Sequence, residues 1–128
     1  MLIKKYTSEY KSKLFELIET EGEEWGEYWQ EPHKLNYIQA LENSITYVIF
    51  ENEHLVGYAR TLNDYIIWIV DLLVHQEYRG KEYGKFLMEH ICAEFPDKGV
   101  YILGGNDVLP YYEKLGYTSE GIVYNIKS

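Results

Sequence analysis

The 128-residue sequence predicts a single α/β domain over residues 1–128, a mixed central sheet with helices on both faces. Three observations carry this. Apolar, β-branched runs alternate with stretches whose apolar residues recur at helical spacing, in the order β-α-α-β-β-β-α-β-α-β-β. Residues 65–74 are almost continuously apolar or β-branched, as expected of a strand covered on both sides. With 46% hydrophobic and 26% charged residues, a chain of this length is large enough for one proper core.

Residues 2–6 read as the first strand. Thr7 or Ser8 can cap a helix that sets Leu14, Phe15, Leu17 and Ile18 on one stripe. An acidic and aromatic loop, 19–31, follows. Pro32 suits the first turn of a second helix with Leu35, Ile38 and Leu41 inward. Residues 47–50 and 55–61 form a hairpin around Asn52-Glu53-His54. Beyond 65–74, a helix opens at Gly84 and turns Leu87, Met88, Ile91 and Phe95 inward; Pro96-Asp97-Lys98-Gly99 ends it. Residues 100–103 are a strand, 109–115 a short helix closed by Gly116, and 117–118 and 122–126 the last strands.

Twenty-one acidic against twelve basic residues give a formal charge of −9. Such a surface disfavours nucleic acid and anionic membranes and favours cationic partners. No apolar run approaches the roughly 18–20 residues of a membrane span, and residues 1–5 lack the apolar core of a signal peptide. The single cysteine, Cys92, excludes an internal disulfide and fits a reducing, cytoplasmic setting. It falls in an apolar helical pattern, which predicts a buried thiol rather than a nucleophile. His33, His54, His75 and His90 are scattered without metal-ligand spacing, so no metal is expected.

The chemistry concentrates between Val70 and Met88. An apolar strand ending in Leu72-Leu73-Val74 passes into the basic, glycine-punctuated turn Arg79-Gly80-Lys81-Glu82-Tyr83-Gly84-Lys85 and then into a helix. Such a turn presents unpaired N–H groups with the positive end of the helix dipole behind them. That arrangement suits a phosphate or pyrophosphate, with Arg79, Lys81 and Lys85 adding mobile positive charge.

Taken with Tyr111-Tyr112-Glu113-Lys114-Leu115-Gly116-Tyr117, this segment resembles the GNAT superfamily of acyl-CoA-dependent N-acyltransferases. The family pattern at the turn is Arg or Gln, two residues, Gly, one residue, then Gly or Ala. Arg79 and Gly84 fit its ends, and Glu82 stands where the middle glycine is expected. The resemblance implies that turn amides over Arg79, Gly80, Lys81, Glu82, Tyr83, Gly84 and Lys85 bind the pyrophosphate of acetyl-CoA. It also implies that the Leu72 N–H faces the acyl carbonyl, that Val74 contacts pantetheine and that Asn106 hydrogen-bonds the cofactor arm. Tyr112 matches the tyrosine that protonates the departing thiolate; the bland reading is a tyrosine packed under the short helix. At Glu82, either the side chain turns outward, which we expect, or acyl-CoA binds more weakly than is usual.

The implied reaction is direct transfer of an acetyl group to a primary amine, with a small cationic acceptor favoured and a homodimer admitted. Glu23, Glu24 and Glu27 would attract the cation, and Trp25 and Trp29 would cover its apolar part; the bland reading is a solvated loop. Asp71 is either a proton acceptor or part of a structural hydrogen bond. Alternation places it on the face opposite Leu72 and Val74. The rival functions are a catalytically silent acyl-CoA-binding module and an acetyltransferase for peptide N-terminal amines.

Overall fold

In the computed structural model, which describes residues 1–104 and 108–127, five strands lie side by side in chain order. They are β1 (Leu2–Lys5), β2 (Ile45–Glu51), β3 (His54–Asn63), β4 (Ile67–Val74) and β5 (Val100–Ile102). β1 to β4 pair antiparallel and β5 joins β4 in parallel, so the sheet is mixed as expected. The β2–β3 hairpin turns at Asn52, whose positive φ of 57° is a conformation asparagine tolerates better than most residues.

Helices cover both faces. α1 (Lys11–Glu19), α2 (Gly26–Trp29) and α3 (His33–Glu42) lie on one side and α4 (Tyr83–Glu94) on the other, with the short α5 (Leu109–Lys114) beside it. The first core packs Leu14, Phe15, Leu17 and Ile18 of α1 and Tyr37 and Leu41 of α3 against Val48, Phe50, Tyr58 and Leu73. The second packs Leu87, Met88 and Ile91 of α4 against Tyr47, Ile49, Val56, Ile67 and Ile69. Each such side chain contributes roughly 1.5–3 kcal/mol of transfer free energy, so these two stripes hold the layers.

Several sequence expectations are corrected. α1 starts at Lys11, after a 3₁₀ turn over Ser8–Tyr10, and Thr7 makes no side-chain cap. In α3 the buried stripe runs through Tyr37 and Leu41, and Leu35 is exposed, because a tyrosine supplies the inward position one turn before Leu41. Cys92 is exposed, one residue past the buried Ile91, so it is not a core thiol. Residues 117–127 form neither helix nor strand, and Ile122, Val123, Tyr124 and Ile126 stay exposed. β5 is only three residues long, so its outer edge offers little backbone for further strands to extend.

Two bulges bend the sheet. Val56 is the extra residue between Ile49–Gly57 and Phe50–Leu55, and Val70 the extra residue between Thr61–Ile69 and Arg60–Asp71. A bulge switches which face the following residues occupy. Ile67 and Ile69 therefore join the α4 core, whereas Leu73 joins the α1–α3 core. Among the described residues, no helix is long and apolar enough to cross a membrane.

Candidate active site

The bulge at Val70 coincides with a break in the sheet. β4 and β5 pair through Ile67 with Val100, Trp68 with Tyr101 and Ile69 with Ile102, and the Leu103 N–H still reaches the Ile69 carbonyl at 3.1 Å. Beyond that point no strand among the described residues pairs with β4 on that side, leaving an open edge. The His75 N–H turns back to the Val56 carbonyl of β3 at 2.8 Å, whereas the Val74 carbonyl faces away and accepts from Arg79 Nε at 2.9 Å. By alternation, the N–H groups of Val74 and Leu72 point into the gap.

The N-terminus of α4 borders this edge. Its first intrahelical bond is from Phe86 N–H to the Glu82 carbonyl, so the N–H groups before Phe86 have no partner in the helix. A Cβ built on Gly84 would lie 3.8 Å from Leu72 Cδ2, 3.9 Å from Val74 Cγ2 and 3.9 Å from the Tyr111 hydroxyl. The structure thus gathers Leu72, Val74, Gly84 and the start of α5 at one place. Strand donors and helix N-terminus come from neighbouring segments, and the tyrosine comes from α5, more than 25 positions further on.

The side chains of the turn are deployed differently from the expectation of mobile charge. The Arg79 guanidinium is held: Nη2 donates to Glu21 Oε1 at 2.8 Å while Nε holds Val74. Glu21, whose side chain is almost buried, also accepts from Gln76 at 3.4 Å. Arg79 therefore ties this turn to the end of α1. Lys81 lies over the Tyr78 ring at 5.4 Å, and Lys85 sits 3.9 Å from Glu82. The Tyr83 ring is buried in the α4 core and its hydroxyl donates to Glu51, leaving only its backbone to face the turn. Gly80 has φ 82°, a value that side chains resist.

Glu82 is the N-cap of α4 and has φ 67°, ψ 19°, in the left-handed region. This gives glycine at that position a backbone reason beyond close approach to a ligand. The Glu82 side chain turns outward, 61% exposed. We predict that Glu82→Gly stabilises the fold by about 1 kcal/mol by relieving the left-handed strain. Because the carboxylate already points outward, the same change should leave acetyl-CoA affinity within about twofold. Urea denaturation and calorimetric titration check the two effects separately, and a larger shift in affinity would overturn the second.

On α5, Gly116 at φ 90° ends the helix, with Tyr117 N–H bonded to the Tyr112 carbonyl at 3.0 Å. Tyr112 is partly buried against the α4 core and abuts Gly104: a Cβ there would meet its ring at 3.0 Å. Burial first, then Tyr111 and Tyr117, raise its phenol above the usual value. Tyr111, which sequence reading passed over, carries its hydroxyl to Gly84. The aromatic residue before the motif tyrosine was the only signal for it. Asn106 lies outside the described residues.

The acidic loop resolves into two parts. Trp25, Tyr28 and Trp29 pack into the α1–α3 core, and Trp29 Nε1 donates to the Gly22 carbonyl at 3.0 Å. The tryptophans anchor the loop rather than stand free. Glu23, Glu24 and Glu27 are exposed. Beneath the loop, on the face opposite Leu72, Asp71 Oδ2 accepts from Arg60 Nε at 2.6 Å and from the Tyr37 hydroxyl at 2.7 Å, and Tyr37 shares a 2.8 Å hydrogen bond with Tyr58. Burial raises the Tyr58 phenol well above its usual range, and neighbouring Tyr37 and Asp71 push the same way. Of the two readings of Asp71, the structural hydrogen bond is realised. Cys92 is a poor nucleophile, since desolvation and then Glu89 raise its thiol. Among the described residues, no group of three or more His, Cys, Asp or Glu is placed to hold a metal ion.

An open strand edge, a helix N-terminus beside it and a tyrosine at its mouth meet at the end of β4. The chain belongs to the acetyltransferase (GNAT) family, whose model matches residues 12–117, and it is an N-acetyltransferase of that type. No curated protein sequence matches it. Its fold is similar to a GNAT-family acetyltransferase from Streptococcus pneumoniae, at 19% identity over 99% of this chain and 98% of that one, with a TM-score of 0.74. An acetyltransferase from Trypanosoma brucei gives 20% identity, 98% and 97% coverage and a TM-score of 0.73. A ribosomal-protein-alanine N-acetyltransferase from Brucella melitensis gives 15%, 98% and 97%, and 0.77.

Proposed function

We propose that the protein transfers the acetyl group of acetyl-CoA directly to a primary amine that arrives as an ammonium ion, in a cytoplasmic setting. The carrying observation is the β4 edge left open at the Val70 bulge, next to the free N–H groups of α4. Pyrophosphate fits the α4 N-terminus with Lys81 and Lys85 nearby, and the pantetheine arm fits along the edge beside Val74. The Leu72 N–H is the fixed donor for the oxyanion that develops as the amine attacks the thioester carbonyl. The ammonium first gives one proton to water so that the neutral amine can attack, and a second N–H proton leaves to water as the C–N bond forms. When the C–S bond breaks, a tyrosine of α5 donates the proton that the thiolate needs, and we assign this to Tyr112. That tyrosine regains its proton from water. Exposed Glu23, Glu24 and Glu27 raise the local ammonium concentration. The raised Cys92 thiol supports direct attack over a covalent enzyme intermediate.

Two measurements test this. Calorimetric titration with acetyl-CoA is expected to give one site per chain; no binding at millimolar ligand would sink the cofactor reading. Thiol release over a panel of amines and peptides is expected to find turnover on free amines. Binding without release on any acceptor would identify a silent acyl-CoA-binding module. Release only with peptides would make it a peptide N-terminal acetyltransferase.

A further inference from the structure

The acidic loop is not the only recognition surface on the acceptor side of the sheet. Thr46, Arg60 and Asp71 stand in one row across β2, β3 and β4, and Leu62, Trp68 and Tyr101 form the next row across β3, β4 and β5. Ile67, Ile69, Val100 and Ile102 turn to the α4 core, so Trp68 and Tyr101 face the α1–α3 side. The helices stop short of this second row. Leu62, Trp68 and Tyr101 are 47%, 38% and 36% exposed, and the two rings lie 5.3 Å apart. Three large apolar side chains from adjacent strands make a continuous floor.

Arg60 borders that floor. Its Nε serves Asp71, its guanidinium lies 5.4 Å from the Tyr37 ring centroid, and its side chain is 16% exposed. Among the described residues, neither Nη1 nor Nη2 has a carboxylate of its own, while the Tyr37 hydroxyl beside the guanidinium also hydrogen-bonds the side chain. Part of the side chain stays open to solvent, and Thr46 Oγ1 in the same row is a buried side-chain polar atom without a partner. A guanidinium whose Nε serves one carboxylate still carries Nη donors in a fork that matches a second carboxylate. Asp71 beside it is the complementary anion, next to Val70, where the sheet opens. Trp68 lies two residues before Val70, about 7 Å along the strand.

We propose that the acceptor is a free α-amino acid with an apolar side chain. Its carboxylate takes the Nη edge of Arg60, its ammonium lies in the field of Asp71 toward the gap, and its side chain rests on Leu62, Trp68 and Tyr101. This rests on the N-acetyltransferase reading and names the acceptor class within it. A polyamine would leave the Arg60 donors unmatched and set like charge against them.

The test compares acceptors that share one apolar body: phenylalanine, phenylalanine amide and phenethylamine, with spermidine as the cationic competitor. Phenylalanine is expected to exceed the other three in kcat/KM by about tenfold or more, since a donor pair built for a carboxylate is unmatched by the rest. Arg60→Lys keeps a cation for Asp71 but loses the fork, so it should cut this preference to within about threefold, with the acetyl-CoA Kd from calorimetry unchanged. Trp68→Ala, at an exposed position, should raise KM for phenylalanine but not for alanine. Equal use of the first three, or a preference for spermidine, would overturn the inference alone. Acetyl-CoA binding with no thiol release on any of the four would also overturn the inference, whereas the transferase reading falls only if the wider panel of amines and peptides gives no release either.

Discussion

Asp71→Ala is expected to lower stability by about 3–5 kcal/mol, the range for removing one partner of a buried ion pair. Asp71 Oδ2 receives both Arg60 Nε and the Tyr37 hydroxyl, so the substitution strands a guanidinium and a phenol together. Tyr37 is itself buried and bonded to the fully buried Tyr58, which carries the loss into the α1–α3 core. Urea denaturation measures it. The paired replacement Asp71→Leu with Arg60→Met should cost less than Asp71→Ala, because no charge is left without a partner. If Asp71→Ala costs under about 1 kcal/mol, the pair behaves as a surface salt bridge. The network would then not be what holds α3 to the sheet.

The order of elements up to β5 and the inward stripe of α4 were legible because periodicity reports burial directly. Leu87, Met88 and Ile91 face the core where their spacing puts them. The candidate site was legible as segments. Arg79 to Lys85 and Tyr111 to Tyr117 mark a turn and a helix end in sequence, and the fold brings both to the end of β4. What stayed hidden depends on contacts between distant residues. Nothing local says that Arg79 is held by Glu21, 58 positions earlier, or that Trp25 and Trp29 are core anchors. The Val70 bulge has no sequence signature, because the apolar run 65–74 reads the same with or without an extra residue. Yet it puts Asp71 with Arg60 and lets β4 part from β5. Strands at the C-terminus were read from β-propensity in residues 122–126, but a strand needs a paired edge as well as suitable side chains.

Tyr112→Phe is expected to lower kcat by about 10²-fold, the scale of a lost general acid, with the acetyl-CoA Kd changed by no more than about twofold. Phenylalanine keeps the ring that packs against Gly104, so the change removes a proton donor and little packing. The pH dependence gives a second signature. Burial holds the Tyr112 phenol above its ordinary value, and the neighbouring Tyr111 and Tyr117 add to the effect. A raised pKa keeps the acid protonated, so wild-type kcat should show no alkaline fall below pH about 10. It should decline only as pH rises through the Tyr112 pKa, and Tyr112→Phe should lose that limb. Tyr111→Phe is the decisive control, since the Tyr111 hydroxyl approaches Gly84 at the mouth of the gap. A small effect there leaves Tyr112 as the acid. If Tyr111→Phe instead carries the 100-fold loss and abolishes the alkaline limb, on the scale of a lost general acid, proton donation belongs to Tyr111. Tyr112 would then be the residue that packs α5 against α4.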